Sequence, residues 1–168
     1  GAPWATHLIV TARTGGGQRD AQGVSVFLVD KNAKGVTTRD YPTVDGQRAS
    51  EVTFENVSVG VDALIGPEGA GLPLVEKVMD EAIAATCAEA CGVLRRLQEG
   101  TVEYTRTRKQ FGVPISSFQV LQHRMVDMFI QLEQSISMTY MATIRLSEEA
   151  HARAQAISAA KVQIGKAC

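Results

Sequence analysis

The chain has 168 residues, a formal net charge of −1 and 21% charged residues. That is enough for one domain, or for a small domain joined to a helical piece. The charge balance gives nucleic acid or an acidic membrane surface nothing to grip, so neither is expected as a partner. No apolar run reaches the length of a bilayer span, and no charged-then-apolar secretory start is visible, so a soluble, cytoplasmic protein is the expectation. Cys87, Cys91 and Cys168 make an odd count, with the histidines far off in sequence, so no metal set is expected. Small buried thiols in a reducing compartment explain Cys87 and Cys91 better.

The first third reads as β structure. His7 to Ala12 predicts a short strand, followed by a polar connection that contains Gly15, Gly16 and Gly17. Gly23 to Asp30 alternates apolar and small residues and then becomes fully apolar, which suits a strand buried in a sandwich or barrel. Val36 to Tyr41 predicts a third strand. Ala49 to Val57 predicts a fourth, with Val52 and Phe54 on one face and Thr53 and Glu55 on the other. The triple glycine lacks the Gly-Lys-Ser/Thr sequel of a phosphate loop and has no helix behind it, so a flexible hairpin is expected.

Beyond Gly66-Pro-Glu-Gly-Ala-Gly71 the period becomes helical. Leu74, Val75, Val78, Met79 and Ile83 recur at spacings of three and four, and the stripe continues through Cys87, Ala90, Cys91, Leu94 and Leu97. The many small residues between them favour close helix approach. A second long helix is expected from Phe118 to about Glu148, with Leu121, Met125, Met128, Phe129 and Leu132 facing a core. A third begins near Ala150. The class is therefore α+β: a β-sandwich-like or barrel-like segment over 1–65, then long antiparallel helices over 66–168.

The most chemical stretch joins the first two helices. Arg106, Arg108 and Lys109 are expected to crowd the last turn of the first helix, where the partial negative end of the dipole favours cations. Phe111 and Gly112 would end that helix, and Pro114 forbids its continuation. Ser116 or Ser117 can cap the second helix, whose free N–H groups attract anions. Arginines facing a helix N-terminus suit a phosphate, and Phe111 and Phe118 offer apolar surface beside it. The bland alternative is that the charges cap a helix and the phenylalanines fill a corner.

The segment Thr107-Arg-Lys-Gln-Phe-Gly-Val-Pro-Ile-Ser-Ser-Phe-Gln119 resembles the signature that follows the first long helix of the C-terminal domain in acyl-CoA dehydrogenases. Gly1 to Val61 resembles the second part of that family's middle β domain, and Ala159 to Cys168 its third C-terminal helix. A finer likeness, to the small subunit of pimeloyl-CoA dehydrogenase and similar subunits acting on dicarboxylic or steroid side-chain thioesters, is carried by Val24 to Asp30, Tyr41 to Ala49, Cys87 to Gly92 and Phe118 to Arg124.

The resemblance implies an incomplete four-helix-bundle domain over 66–168, following the C-terminal portion of a middle β domain over 1–65. It also implies FAD, an acyl-CoA substrate, a homotetramer or heterotetramer, and electron-transfer flavoprotein as acceptor. Arg108, Lys109 and Gln110 match flavin contacts made from a neighbouring subunit, with Arg108 near the pyrophosphate, which suits the fixed donor fork of a guanidinium. Phe111 would lie beside the cofactor, and Phe118 and Gln119 match further contacts. Asp80 matches an acidic position in the acyl-CoA pocket, although Ile83 stands where the family often has arginine.

The catalytic carboxylate is expected outside this segment. The alternative family position for it corresponds to Ala82, which cannot act as a base. Glu81 points about 100° away around the helix, and Glu89 reads as a buried or interface hydrogen-bonder. Two other readings are a non-catalytic flavin-binding partner subunit and a helical interaction module.

Overall fold

Antiparallel pairing organises the first part of the chain. A computed structural model describes residues 1–168 as two units, Gly1–Glu76 and Lys77–Cys168. In the first, β1 (His7–Arg13) pairs with β2 (Val24–Asp30), with His7 opposite Asp30 and Arg13 opposite Val24. The glycine-rich connection is a hairpin loop, as expected, but it is tied down. The Arg13 guanidinium donates to the carbonyls of Gly15, Gln22 and Asp20 at 3.2, 3.0 and 2.9 Å, and the Asp20 carboxylate accepts from the Gly17 N–H.

β2 carries the buried side chains of this unit, Ser25, Val26 and Val29. β3 (Val36–Pro42) and β4 (Arg48–Phe54) form a separate antiparallel pair. β4 stops short of the expected Val57 because Asn56 takes a left-handed conformation, φ 52°. Its supposed inner face is only partly covered here: Val52 is half-buried and Phe54 is exposed.

β5 (Leu64–Ile65) pairs with β2 across from Val26 and Phe27. The junction after it lies along β2. Ser25 Oγ accepts from the Gly69 N–H at 2.8 Å and pairs with Thr14 Oγ1 at 2.7 Å, and the Gly71 N–H donates to the Val24 carbonyl at 2.7 Å. Glycine is required at 71 because a Cβ there would meet Val26 Cγ2 at 2.8 Å and the Val24 oxygen at 3.0 Å.

α1 (Leu72–Thr107) begins in this unit and runs through the second. The second unit continues with β6 (Lys109–Gln110), β7 (Val113–Pro114), α2 (Gln119–Ile144) and α3 (Ala150–Ala167). Small side chains make its core: Ala84 and Cys87 from α1, Ala142 from α2, Ile157 and Ala160 from α3. Ile83, Met138, Leu146 and Ile164 pack around them. Contacts of Gln98 with Met125 and of Cys91 with Thr139 show that α2 runs back along α1.

On the α1 stripe Cys87 and Cys91 are buried and Val75, Ile83, Ala90 and Leu94 half-buried, whereas Leu74, Val78, Met79 and Leu97 are exposed. On α2, Leu132 is buried and Leu121, Met125 and Met128 are half-buried, whereas Phe129 is 52% exposed. Residues at helical spacing form a stripe whether or not a neighbour covers it, which is why the pattern overstated the core.

α2 ends at Ile144, before the expected Glu148, and a 3₁₀ turn over Arg145–Ser147 follows. Glu149 caps α3: its carboxylate accepts from the N–H groups of His151 and Ala152. Those two bonds hold its pKa below the ordinary glutamate range. Cys87 and Cys91 are buried free thiols and Cys168 is exposed. Burial raises the Cys87 pKa, and neighbouring Cys91 adds to the effect. No helix is long and apolar enough to cross a membrane.

Gly23 has φ 91°, and a Cβ there would overlap the Gly15 carbonyl oxygen. Gly23→Ala is expected to cost about 2 kcal/mol or more. Gly46→Ala, with a similar φ and open space around it, is expected to cost less. Urea unfolding of the two variants beside the wild type checks the order.

Candidate cofactor site

The site is built where α1 gives way to α2. The Arg108 N–H closes the last helical turn on the Tyr104 carbonyl at 2.9 Å, while Thr107 Oγ1 donates back to Glu103 and Tyr104. The chain then makes a miniature hairpin: Lys109 lies opposite Pro114 and Gln110 opposite Val113, and the Ile115 N–H returns to the Arg108 carbonyl at 2.9 Å.

Its two loop residues, Phe111 and Gly112, have φ of 54° and 80°, the positive pair that a type I′ turn demands. A phenylalanine in left-handed backbone is uncommon and strained. Its ring is 92% exposed and meets Phe118 edge-on, with centroids 6.2 Å apart and planes at 83°.

Several details differ from the sequence reading. Of the three basic residues, only Arg106 lies in the last turn of α1. Arg108 follows the helix and Lys109 is in β6. Helix α1 has already ended before Phe111 and Gly112, which turn the hairpin instead. Neither serine caps α2. Both lie in a 3₁₀ turn over Ile115–Ser117, where Ser117 Oγ donates to the Pro114 carbonyl at 2.7 Å. Phe118 is the N-cap of α2, with no side-chain cap bond, so the first N–H groups of the helix are left for another acceptor.

Arg108 and Lys109 are exposed and form no ion pair with a carboxylate. The Gln110 amide donates to the Lys109 carbonyl, Phe118 is half-buried and Gln119 is exposed. One short segment thus presents two free cations, an exposed aromatic ring and an uncapped helix start. Chemically this suits a phosphate-bearing, partly aromatic group.

A groove of about 480 Å³ opens between α1 and α2, lined by Gln98, Arg106, Ser116, Met125, Val126 and Phe129 among others. Gln98 was not singled out in the sequence. Its amide donates to the Met125 carbonyl at 3.1 Å, and its buried Oε1 has no partner.

Asp80 is not part of this cluster, since 28 residues of helix place it about 40 Å back along α1. It is half-buried, and its Oδ2 accepts from Arg153 Nε at 2.8 Å. Arg153 also reaches the Glu148 carbonyl at 3.4 Å. The sequence did carry a signal for it. Arg153 shares a helix face with Ile157 and Ala160, and an arginine on an apolar stripe needs a buried partner. Of the two readings for Glu89, the buried one does not hold: it is exposed, because its α1 face turns away from the core, and Glu81 and Ala82 are exposed as well.

Two family models match the chain: the acyl-CoA dehydrogenase middle domain over residues 1–57 and the acyl-CoA dehydrogenase C-terminal domain over residues 69–168. The probable acyl-CoA dehydrogenase FadE25 of Mycobacterium tuberculosis is 32% identical over 145 residues, 84% of this chain and 36% of that protein. The short-chain specific acyl-CoA dehydrogenase of Clostridium acetobutylicum is 33% identical over 136 residues, 79% of this chain and 35% of that protein. Among solved structures, the FAD complex of PigA superposes with a TM-score of 0.83 at 31% identity, covering 99% of this chain and 45% of that one. The chain spans little more than a third of the length of the two dehydrogenases.

Relief of the left-handed strain at position 111 gives a direct check on the hairpin. Phe111→Gly is expected to leave stability unchanged or raise it by up to about 1 kcal/mol, since little ring surface is buried. Phe111→Val is expected to lower it. Thermal melts of both variants test this, and a clear loss with glycine would contradict the turn assignment.

Proposed function

The chain belongs to the acyl-CoA dehydrogenase family, and from that premise we propose that the whole protein oxidises the Cα–Cβ bond of an acyl-CoA thioester, with FAD as cofactor. The observation that carries the reading is the Arg108–Gln119 segment, where an exposed Phe111 ring sits between unpaired cations and an uncapped helix start.

These residues fit the cofactor's chemistry. FAD, when bound, supplies the acceptor for the β-hydride. Arg108 is the pyrophosphate ligand, because its planar fork can donate two hydrogen bonds to phosphate oxygens. Lys109 adds charge, and Gln110 and Gln119 offer amide donors and acceptors. Phe111 and Phe118 provide apolar surface for an aromatic ring of the cofactor. Asp80 flanks the acyl-CoA pocket. No residue of this chain is assigned as the base: Ala82 has no titratable group, and Glu81 and Glu89 are solvent-facing.

An aromatic ring left 92% exposed is better explained by a cofactor shared with a second subunit than by an isolated protomer. A homotetramer or heterotetramer is therefore part of the proposal, with electron-transfer flavoprotein as acceptor. The finer likeness to subunits acting on dicarboxylic or steroid side-chain thioesters names the substrates to screen first. The buried free thiols Cys87 and Cys91 support a reducing, cytoplasmic setting.

Arg108→Ala in the whole protein is expected to weaken FAD binding about 10- to 100-fold, the loss of a charge-assisted hydrogen bond of about 1.5–3 kcal/mol, with unfolding stability within about 0.5 kcal/mol of wild type. Titration of the apoprotein with FAD, beside a thermal melt, reads both quantities. Unchanged FAD affinity would remove Arg108 from the site.

A further inference from the structure

We draw no further inference here: the strongest candidate, the outward apolar face of α2 formed by Val126, Phe129, Ile130, Tyr140 and Ile144, is exposed along the helix, and nothing in the structure shows what covers it.

Discussion

Two consecutive residues in left-handed backbone, Phe111 and Gly112, decide where everything after α1 can lie. A two-residue turn with both φ values positive matches the twist of the short strands it joins. It therefore reverses the chain within a few residues of the end of α1. That reversal sends α2 back along α1, which puts Gln98 against Met125 and Cys91 against Thr139. It also leaves Arg108 and Lys109 with no carboxylate partner and the Phe111 ring exposed, edge-on to Phe118. The strain of a phenylalanine in that conformation is a local cost, borne where a ring is wanted in the open.

The helical unit that results is held together by small side chains. Ala84, Cys87, Ala142 and Ala160 let three helix backbones come close, with Ile157 filling the space they share. Such a core has little volume to spare, so alignment at its ends falls to polar contacts. At one end Asp80 meets Arg153; toward the other, the Gln98 amide clasps a backbone carbonyl of α2. Buried pairs of this kind add little net stability when set against an apolar replacement, but a wrong helix register would leave each charge or amide unsatisfied.

Much of this was legible in the sequence, for physical reasons that differ by element. Strand alternation and flanking turn residues gave β1 to β3 to within a residue or so, and the switch to a period of three and four marked α1. The cofactor segment was legible as chemistry, because cations, aromatics and Pro114 occur together. Its geometry was not. A phenylalanine gives no signal for positive φ, unlike an asparagine or aspartate before glycine, so the hairpin was read as a helix end. Ser116 and Ser117 have the composition of caps, yet the 3₁₀ turn takes Ser117 for a carbonyl of its own turn. Periodicity also could not say which part of a stripe is covered: Met79 and Phe129 keep perfect helical spacing and remain exposed. The partner of Asp80 lies 73 residues away, a pairing that only tertiary structure specifies.

The proposed function requires the whole protein to bind FAD. Adding FAD to the apo form of the whole protein, expressed from its complete reading frame, and recording the visible spectrum after removal of free cofactor tests it most directly. A retained flavin spectrum at about one FAD per subunit is the predicted result. An intact, folded protein that emerges colourless would rule out FAD as its cofactor.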